Sequence, residues 1–474
     1  MKTRNSFLVM LVFLAFTGLA WSKGLPWDGK VGKQTGNILL LSDLHLDPFA
    51  NPALIKELIA EPVEQWESIF ESAPDEAFAA PGKDSNYPLL VSALQEAQSK
   101  GPFDFAVVTG DYLVHDTRAL FEPVGGMGQQ DYEDFVTKTE VFVSREVQKI
   151  LVGTPVYFSL GNNDSECGDY MMASHTRFLK DLSKEWAVLQ GHPDALQTMA
   201  DSGYYELPHP TLANTELIVI NDIYWSNRYS NDSCHSMPND VAGGEELAWL
   251  KDRLLKARNQ HEKAQLIMHI PPQTDVYGTL KAMTQPNGPK AGKLFWGSEN
   301  EDNFVQLMRT YSDTVQFIFA GHTHMDDFRL LRDAHGKFFL ATHICPAVSP
   351  IRFNNPAFQV MEYDKGNGAI KDMATYYLTN LATAKGAEGG KWALEYDFDT
   401  AYGLDGYNTD TLKSLTDKID SDEAVRSKFA GFYPASAPET ISSDQWKAIN
   451  KLRLVASQEE LDEALGKAPP KQWP

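Results

Sequence analysis

Ile38-Leu39-Leu40-Leu41-Ser42-Asp43-Leu44-His45-Leu46-Asp47 begins with four consecutive apolar residues and turns polar at Asp43 and His45. Gly36 upstream and Pro48 downstream bound the run, which fits a strand buried on both faces. The polar pair then falls just past the carboxyl end of the strand, where open α/β sheets place their ligand sites. Asp-x-His alone is a weak signal, because polar residues often follow strands as caps. Its weight depends on recurrence.

The pattern recurs four times. Phe103 to Thr109 runs into Gly110-Asp111, and Val156 to Leu160 into Gly161-Asn162-Asn163-Asp164. Gln265 to Met268 runs into His269, and Val315 to Ala320 into Gly321-His322-Thr323-His324. Glycine precedes Asp111, Asn162 and His322, where a tight backbone turn is useful. Any one of these ends alone is more often a cap, a turn or a satisfied histidine; five converging on one sheet edge read as a metal site. Carboxylate, amide and imidazole donors suit zinc, iron or manganese rather than thiolate-bound copper. Asp43, His45, Asp111, Asn162, His269, His322 and His324 are too many for one tetrahedral ion. They suit two ions about 3.5–4 Å apart that share a carboxylate. Such a pair polarises a phosphoryl group and lowers the pKa of a bound water, so phosphoester hydrolysis is the reaction class.

Helical spacing is expected over Ala53–Ser72 (broken at Pro62), Leu89–Lys100, Tyr132–Leu151, Tyr170–Leu189, Glu245–Gln260 and Asn303–Tyr311. Tyr204–Leu207 and Leu217–Asn221 read as strands, and Phe328–Leu331, Phe338–Thr342, Phe358–Tyr363 and Ala369–Thr379 continue as a run of strands. That order predicts an α/β sandwich of two mixed sheets. Past Asn380 the texture changes. Ala382–Gly390 reads as a linker, followed by helices near Thr409–Ile419, Asp422–Phe429 and Ser443–Leu454.

The 474 residues are 43% hydrophobic and 22% charged, as expected of a globular chain with a sizeable core. Against 42 Lys and Arg stand 64 Asp and Glu, a net charge of -22. That balance disfavours extended contact with nucleic acid or anionic membrane. Lys2 and Arg4 precede an apolar stretch from Phe7 to Ala20, with small residues suited to cleavage at Gly18/Ala20 or Ala20/Ser22. Residues 1–22 therefore read as a secretory signal peptide, with a retained anchor as the alternative. No other stretch approaches spanning length, so the mature protein is expected to lack a transmembrane segment. Cys167, Cys234 and Cys345 allow one disulfide and one leftover thiol, with the pairing left open.

Asp43-x-His45, Gly110-Asp111, Gly161-Asn162, His269 and Gly321-His322-x-His324, in this order, resemble the calcineurin-like metallophosphoesterase signature. The resemblance implies a four-layer α/β fold, a β-sandwich flanked by helices, over residues 35–380, with a C-terminal helical region over 381–474. It places Asp43, His45 and His324 on one ion and Asn162, His269 and His322 on the other, with Asp111 bridging both. The implied cofactors are two divalent metal ions, zinc first and iron or manganese as alternatives. A bridging hydroxide would be the nucleophile on phosphorus.

Thr109-Gly110-Asp111 followed by His115-Asp116, His269-Ile270-Pro271-Pro272, and Ser349-Pro350 followed by Asn354-Asn355-Pro356 resemble the acid sphingomyelinase-like phosphodiesterases. Trp392–Leu404 looks like the start of that group's C-terminal region. The resemblance implies a secreted, periplasmic or lysosomal-type phosphodiesterase acting on phospholipid or nucleotide diesters. One departure stands out. Most family members carry histidine where this chain has Asn163, and an amide cannot deliver a proton at neutral pH. His115 resembles a second family histidine proposed for that acid role, so the resemblance moves the role there, with Asn163 donating to a phosphoryl oxygen. The bland reading of His115 is a histidine at a helix start.

Asn163 also resembles the endopolyphosphatase branch, which keeps a monoesterase, nucleotide phosphatase or polyphosphatase as the enzymatic alternative. A non-catalytic scaffold on the same fold would have lost ligand residues, whereas all seven are present. His343 and Cys345 are expected to pack behind the site. His175, His192, His209, His235, His261 and His335 are expected at the surface or in structural roles. Asn163-Asp164-Ser165 and Asn231-Asp232-Ser233 match the glycosylation pattern. Trp225 and Tyr229 are candidates for a cleft wall or, more simply, for core.

Overall fold

A computed structural model describes residues 35–74, 76–126, 128–230, 239–279, 292–438 and 441–466. Residues 1–22, read from the sequence as a signal peptide, and Cys234, His235 and Asn231-Asp232-Ser233 lie outside the described residues.

Two six-stranded mixed sheets form the architecture. In the first, β1 (Thr35–Leu41), β2 (Phe105–Val108) and β3 (Val156–Phe158) run parallel. On the other side of β1, β10 (Ala357–Asp364), β11 (Ile370–Leu378) and β12 (Trp392–Asp397) add in antiparallel fashion, giving the order β12-β11-β10-β1-β2-β3. The second sheet has the order β4-β5-β6-β7-β9-β8. Its strands β5 (Thr215–Val219), β6 (Lys263–Ile267), β7 (Val315–Ala320) and β9 (Phe338–Ile344) are parallel. The edges β4 (Tyr205–Pro208) and β8 (Asp327–Arg332) are antiparallel.

Ile38, Leu39, Leu40 and Leu41 are buried to within 1% because helices cover the face of the sheet that the partner sheet does not. That explains why β1 reads as a continuous apolar run rather than an alternation. The long flanking helices Tyr87–Ser99, Gln129–Ile150, Asn239–Asn259 and Ser298–Thr310 lie close to their expected positions.

Three differences stand out. The helix expected over Tyr170–Leu189 begins only at Arg177, because Gly168 and Tyr170 take positive φ and return the chain to the site. Helices Thr117–Gly125 and Pro193–Ser202 had no counterpart in the periodicity. The stretch 381–474 is not wholly helical: Trp392–Asp397 pairs with β11 before the helices Thr409–Ser421, Glu423–Phe432 and Ser443–Leu452 begin. These helices belong to the same compact unit as the sandwich.

Candidate metal centre

The five ligand-bearing strand ends do not share one sheet edge as expected. Asp43, His45, Asp111 and Asn162 leave the first sheet after β1, β2 and β3, while His269, His322 and His324 leave the second after β6 and β7. The carboxyl ends of both parallel sets meet there. Parallel pairing persists beyond the strands, with Asp43 N donating to Gly110 O at 3.0 Å and His45 N to Asp111 O at 2.9 Å. The segment after β9 sews the halves together: Val348 N and Ser349 N donate to Ser42 O and Asp43 O, and Ala347 N to His324 O.

Asp43, His45, Asp111, His322 and His324 all have positive φ, between 40° and 72°. Asp and His tolerate this region better than most residues. The turn swings each side chain from the strand direction into the space between the sheets. Close approach also requires glycine. A Cβ on Gly161 would overlap the Asp111 carboxylate, and one on Gly321 would overlap Ser42 Oγ.

Histidine geometry decides what the cavity can hold. His45 Nδ1 lies 2.6 Å from the Leu113 carbonyl, and His269 Nδ1 lies 2.6 Å from the Thr109 carbonyl. A carbonyl only accepts, so each neutral ring carries its proton on Nδ1 and presents a bare Nε2 inward. Both Nε2 atoms stand 3.3 Å from Asp111 Oδ2. His269 Nε2 also faces Asn162 Oδ1 at 3.1 Å and His322 Nδ1 at 3.2 Å, while His324 Nε2 faces Asp43 Oδ1 at 3.2 Å. Lone pairs this close repel unless positive charge stands between them. Asp43 Oδ1 and His45 Nε2 are buried without a hydrogen-bond partner, a cost of about 1–3 kcal/mol each if nothing compensates.

The titration tendencies express the same demand. Burial opposes charge on His45, but Asp111, Asp84 and Asp43 outweigh it and raise the ring to about 9. Burial likewise opposes charge on His269, and Asp111 foremost raises it to about 10. Burial, with Asp43 as the opposing influence, holds His324 down to about 3. Hard-to-borderline N and O donors around an acidic, buried cavity fit divalent cations. Three-residue sets each within reach of one ion include Asp43/His45/Asp111 and Asp111/His269/His322.

His115 follows β2 on the same rim. Its ring stacks on His45 with centroids 4.2 Å apart, and its side chain keeps 25% of its surface exposed. Nδ1 lies 3.1 Å from both oxygens of Asp84, which leaves Nε2 for the cavity. Asp84 also accepts from His115 N at 2.9 Å and Ser349 Oγ at 2.9 Å. His115 can also reach one ion together with His45 and His324. Asn163 donates to both oxygens of Asp111, through N and Nδ2, each at 2.9 Å. At 6% exposure and so engaged, its amide is not open to a glycan.

Asp164, two residues after Asn162, has a structural role that the sequence pattern does not mark. Its carboxylate accepts N–H groups of Gly161, Asp111, Tyr112 and Leu113, at 2.7 to 3.2 Å, and so ties the loops after β2 and β3 together. Asp84, Asp169 and Tyr170 are further residues that no local pattern marks. Among the expected bystanders, His343 is buried between Tyr407 and Gln359, and Cys345 is a buried free thiol. Cys167 is disulfide-bonded. His175, His192, His261 and His335 are exposed, while His209 is buried edge-on to Phe105. Trp225 packs in the core against Trp296 and Phe304, and half-buried Tyr229 donates to Met172 O.

Strand topology, glycine turns and the donor set together define a metallophosphoesterase. Residues 36–326 match the family described as calcineurin-like phosphoesterase, more than half of the chain, and the protein belongs to that family of metal-dependent phosphoric ester hydrolases. Residues 336–448 match the acid sphingomyelin phosphodiesterase C-terminal region. Among its relatives, acid sphingomyelinase-like phosphodiesterase 3b of Homo sapiens is 24% identical, covering 87% of this chain and 86% of its own. Cyclic GMP-AMP phosphodiesterase SMPDL3A of Rattus norvegicus is 26% identical, with 94% and 97% covered. Sphingomyelin phosphodiesterase 2 of Caenorhabditis elegans is 28% identical over 67% of this chain and 48% of its own.

Proposed function

We propose that this chain is an exported phosphodiesterase with a dinuclear centre, acting on phospholipid or nucleotide diesters. Asp43, His45 and His324 would hold one ion and Asn162, His269 and His322 the other, with Asp111 within reach of both. The observation that carries the reading is the convergence of the inward-facing Nε2 atoms of His45 and His269 on Asp111 Oδ2, each at 3.3 Å, an arrangement that suits divalent cations. Zinc is the first choice for this donor set, with iron and manganese as alternatives. When bound, two divalent ions supply Lewis-acid charge at a phosphoryl oxygen and activate water for in-line displacement.

The chain's own residues supply the rest. Asp84 holds His115 by Nδ1, which leaves Nε2 facing the cavity to deliver a proton to a departing alkoxide. Alkoxide leaving groups need such an acid, which favours diesters of ordinary alcohols. Asn163 steadies Asp111 and places an amide donor beside the site. Relatives matched along nearly their whole length are phosphodiesterases, which supports the diester over the monoester, nucleotide-phosphatase and polyphosphate readings. The Lys2/Arg4 and Phe7–Ala20 pattern supports export, and the disulfide at Cys167 fits an oxidising compartment.

The test is hydrolysis of bis-p-nitrophenyl phosphate against p-nitrophenyl phosphate by the metal-reconstituted protein. Preference for the diester is expected, and Asp111→Ala should abolish turnover and metal binding together. Preference for the monoester moves the protein to the phosphatase reading.

A further inference from the structure

The loop after Asn162 returns to the site at Asp169 and Tyr170, and each of these engages one candidate ligand of the same ion. Tyr170 Oη lies 3.2 Å from His322 Nε2, and Asp169 Oδ1 accepts from Asn162 Nδ2 at 2.7 Å. We propose that Asp169 and Tyr170 are positioning residues that set the affinity of the ion held by Asn162, His269 and His322. The proposal rests on the dinuclear reading above.

His322 differs from the other inward-facing rings. His45 and His269 are oriented by backbone carbonyls at Nδ1 and present Nε2. His322 instead turns Nδ1 inward, 3.2 Å from His269 Nε2. For Nδ1 to offer a lone pair, the ring proton must sit on Nε2 and be donated to Tyr170 Oη. Tyr170 thus takes the tautomer-setting part that Leu113 and Thr109 carbonyls take elsewhere.

Asn162 has a parallel problem, because an amide has a donor end and an acceptor end. Only Oδ1 can bind a cation. The bond from Nδ2 to Asp169 fixes the orientation that leaves Oδ1 facing His269 Nε2 at 3.1 Å.

The dipeptide is itself held firmly. Tyr170 N donates to Asn162 O at 2.8 Å, and Tyr170 O accepts from Ser230 N at 3.0 Å. The Arg228 guanidinium covers the Tyr170 ring at 4.0 Å and reaches Asp169 Oδ2 at 3.4 Å. Tyr170 is only 5% exposed despite sitting in a loop with φ of 55°. The orienting contacts of Asp43 and His45 come from elsewhere, through Ser42, the His322 backbone N–H and the Leu113 carbonyl. Loss of the dipeptide's contacts should therefore act on one ion.

The experiment strips the full-length protein with a chelator and titrates zinc by calorimetry, with cobalt(II) absorbance as a spectroscopic readout. In Tyr170→Phe and Asp169→Ala, one of two ions should weaken by roughly 10–100-fold while the other is unchanged. Asp169→Asn, whose Oδ1 can still accept from Asn162, should recover most of the affinity lost in Asp169→Ala. The metal-free melting temperature of Tyr170→Phe should match the wild type, which separates orientation from general stability. If Tyr170→Phe does not fold, the Asp169 pair carries the same comparison. Two ions bound at wild-type affinity in the variants, or both weakened in parallel, overturns the proposal alone. A wild-type protein that binds fewer than two ions overturns the dinuclear reading and this proposal with it.

Discussion

Five candidate ligands, Asp43, His45, Asp111, His322 and His324, sit in left-handed backbone. Each such position costs roughly 1–3 kcal/mol, which persists only where the surroundings over-determine it. Here the surroundings are the Gly110, Gly161 and Gly321 turns and the ladder from Asp43 N to Leu46 N. His115 stands apart from the five: its Nδ1 is committed to Asp84, and it keeps a quarter of its surface exposed, as a proton donor that meets substrate must. His115→Ala should retain two bound ions by metal analysis. It should slow diesters of ordinary alcohols by about 10²–10⁴-fold, the usual range for a general acid. Bis-p-nitrophenyl phosphate, whose leaving group needs little protonation, should suffer far less. Equal losses on both substrates would sink the acid role, and loss of an ion would make His115 a ligand with His45 and His324. The seven candidate ligand positions could be singled out because each lies at or just past the end of an apolar run, a local signal. Asp84 and Tyr170 were not, because their partners lie 31 and 152 positions away and leave no periodicity behind.

At the scale of elements, the loops after β2 and β3 are joined through one carboxylate. Burial, then the Asp111 charge, push the Asp164 carboxyl up, and the four backbone N–H groups it accepts, from Gly161, Asp111, Tyr112 and Leu113, work against that push. Beneath it on helix Gln129–Ile150 lies Glu140, wholly buried. Burial first, then the Asp164 charge, push Glu140 well above the usual carboxylate range, so it is the member of the pair that holds the proton. The folded state therefore keeps a proton that the unfolded chain releases above about 4.5, and stability on this account falls as pH rises beyond that value. Glu140→Gln removes the penalty while keeping the shape and a donor toward Asp164. Its urea midpoint should exceed the wild type's at pH 7 and approach it near pH 4. A variant less stable at pH 7 would show Glu140 to be ionised in the fold. Strands with continuous apolar runs, such as β1 and β7, were legible for the reason that they are buried on both faces. Helix Thr117–Gly125 and strand Trp392–Asp397 were not: the first is short and carries Pro123, and the second alternates weakly at a sheet edge, with Leu394 exposed.

On the scale of the whole molecule, the C-terminal helices are fastened just behind the metal loop. Asp326 and Asp327 come two and three residues after His324 and face opposite parts of the structure. Asp326 accepts from Gln359, Thr375 and Tyr396, on β10, β11 and β12 of the first sheet. Asp327, on β8 of the second, receives Arg329 Nη1 at 2.6 Å and Arg453 Nε at 2.5 Å, all three groups within 1% of full burial. Arg453 comes just after helix Ser443–Leu452 and lies over the Phe429 ring at 4.4 Å, so one guanidinium clasps the helical region to the sandwich. Burial works against the Asp327 charge, but the two arginines outweigh it and hold its carboxyl below the usual range. Asp327→Asn leaves two buried guanidinium groups without their counter-charge, and should cost roughly 3–5 kcal/mol at pH 7. The sign with pH follows from the lowered folded value. The carboxylate's contribution is fully present above about 3.8, the unfolded value, and disappears only as pH falls through the lower folded value. Urea denaturation followed by tryptophan fluorescence, which Trp446 beside Arg453 should report, would check this. The gap between wild type and Asp327→Asn should be constant from pH 7 to pH 5 and narrow only below about pH 4. A gap that closes between pH 7 and pH 5 would mean that Asp327 is not ionised under its two arginines.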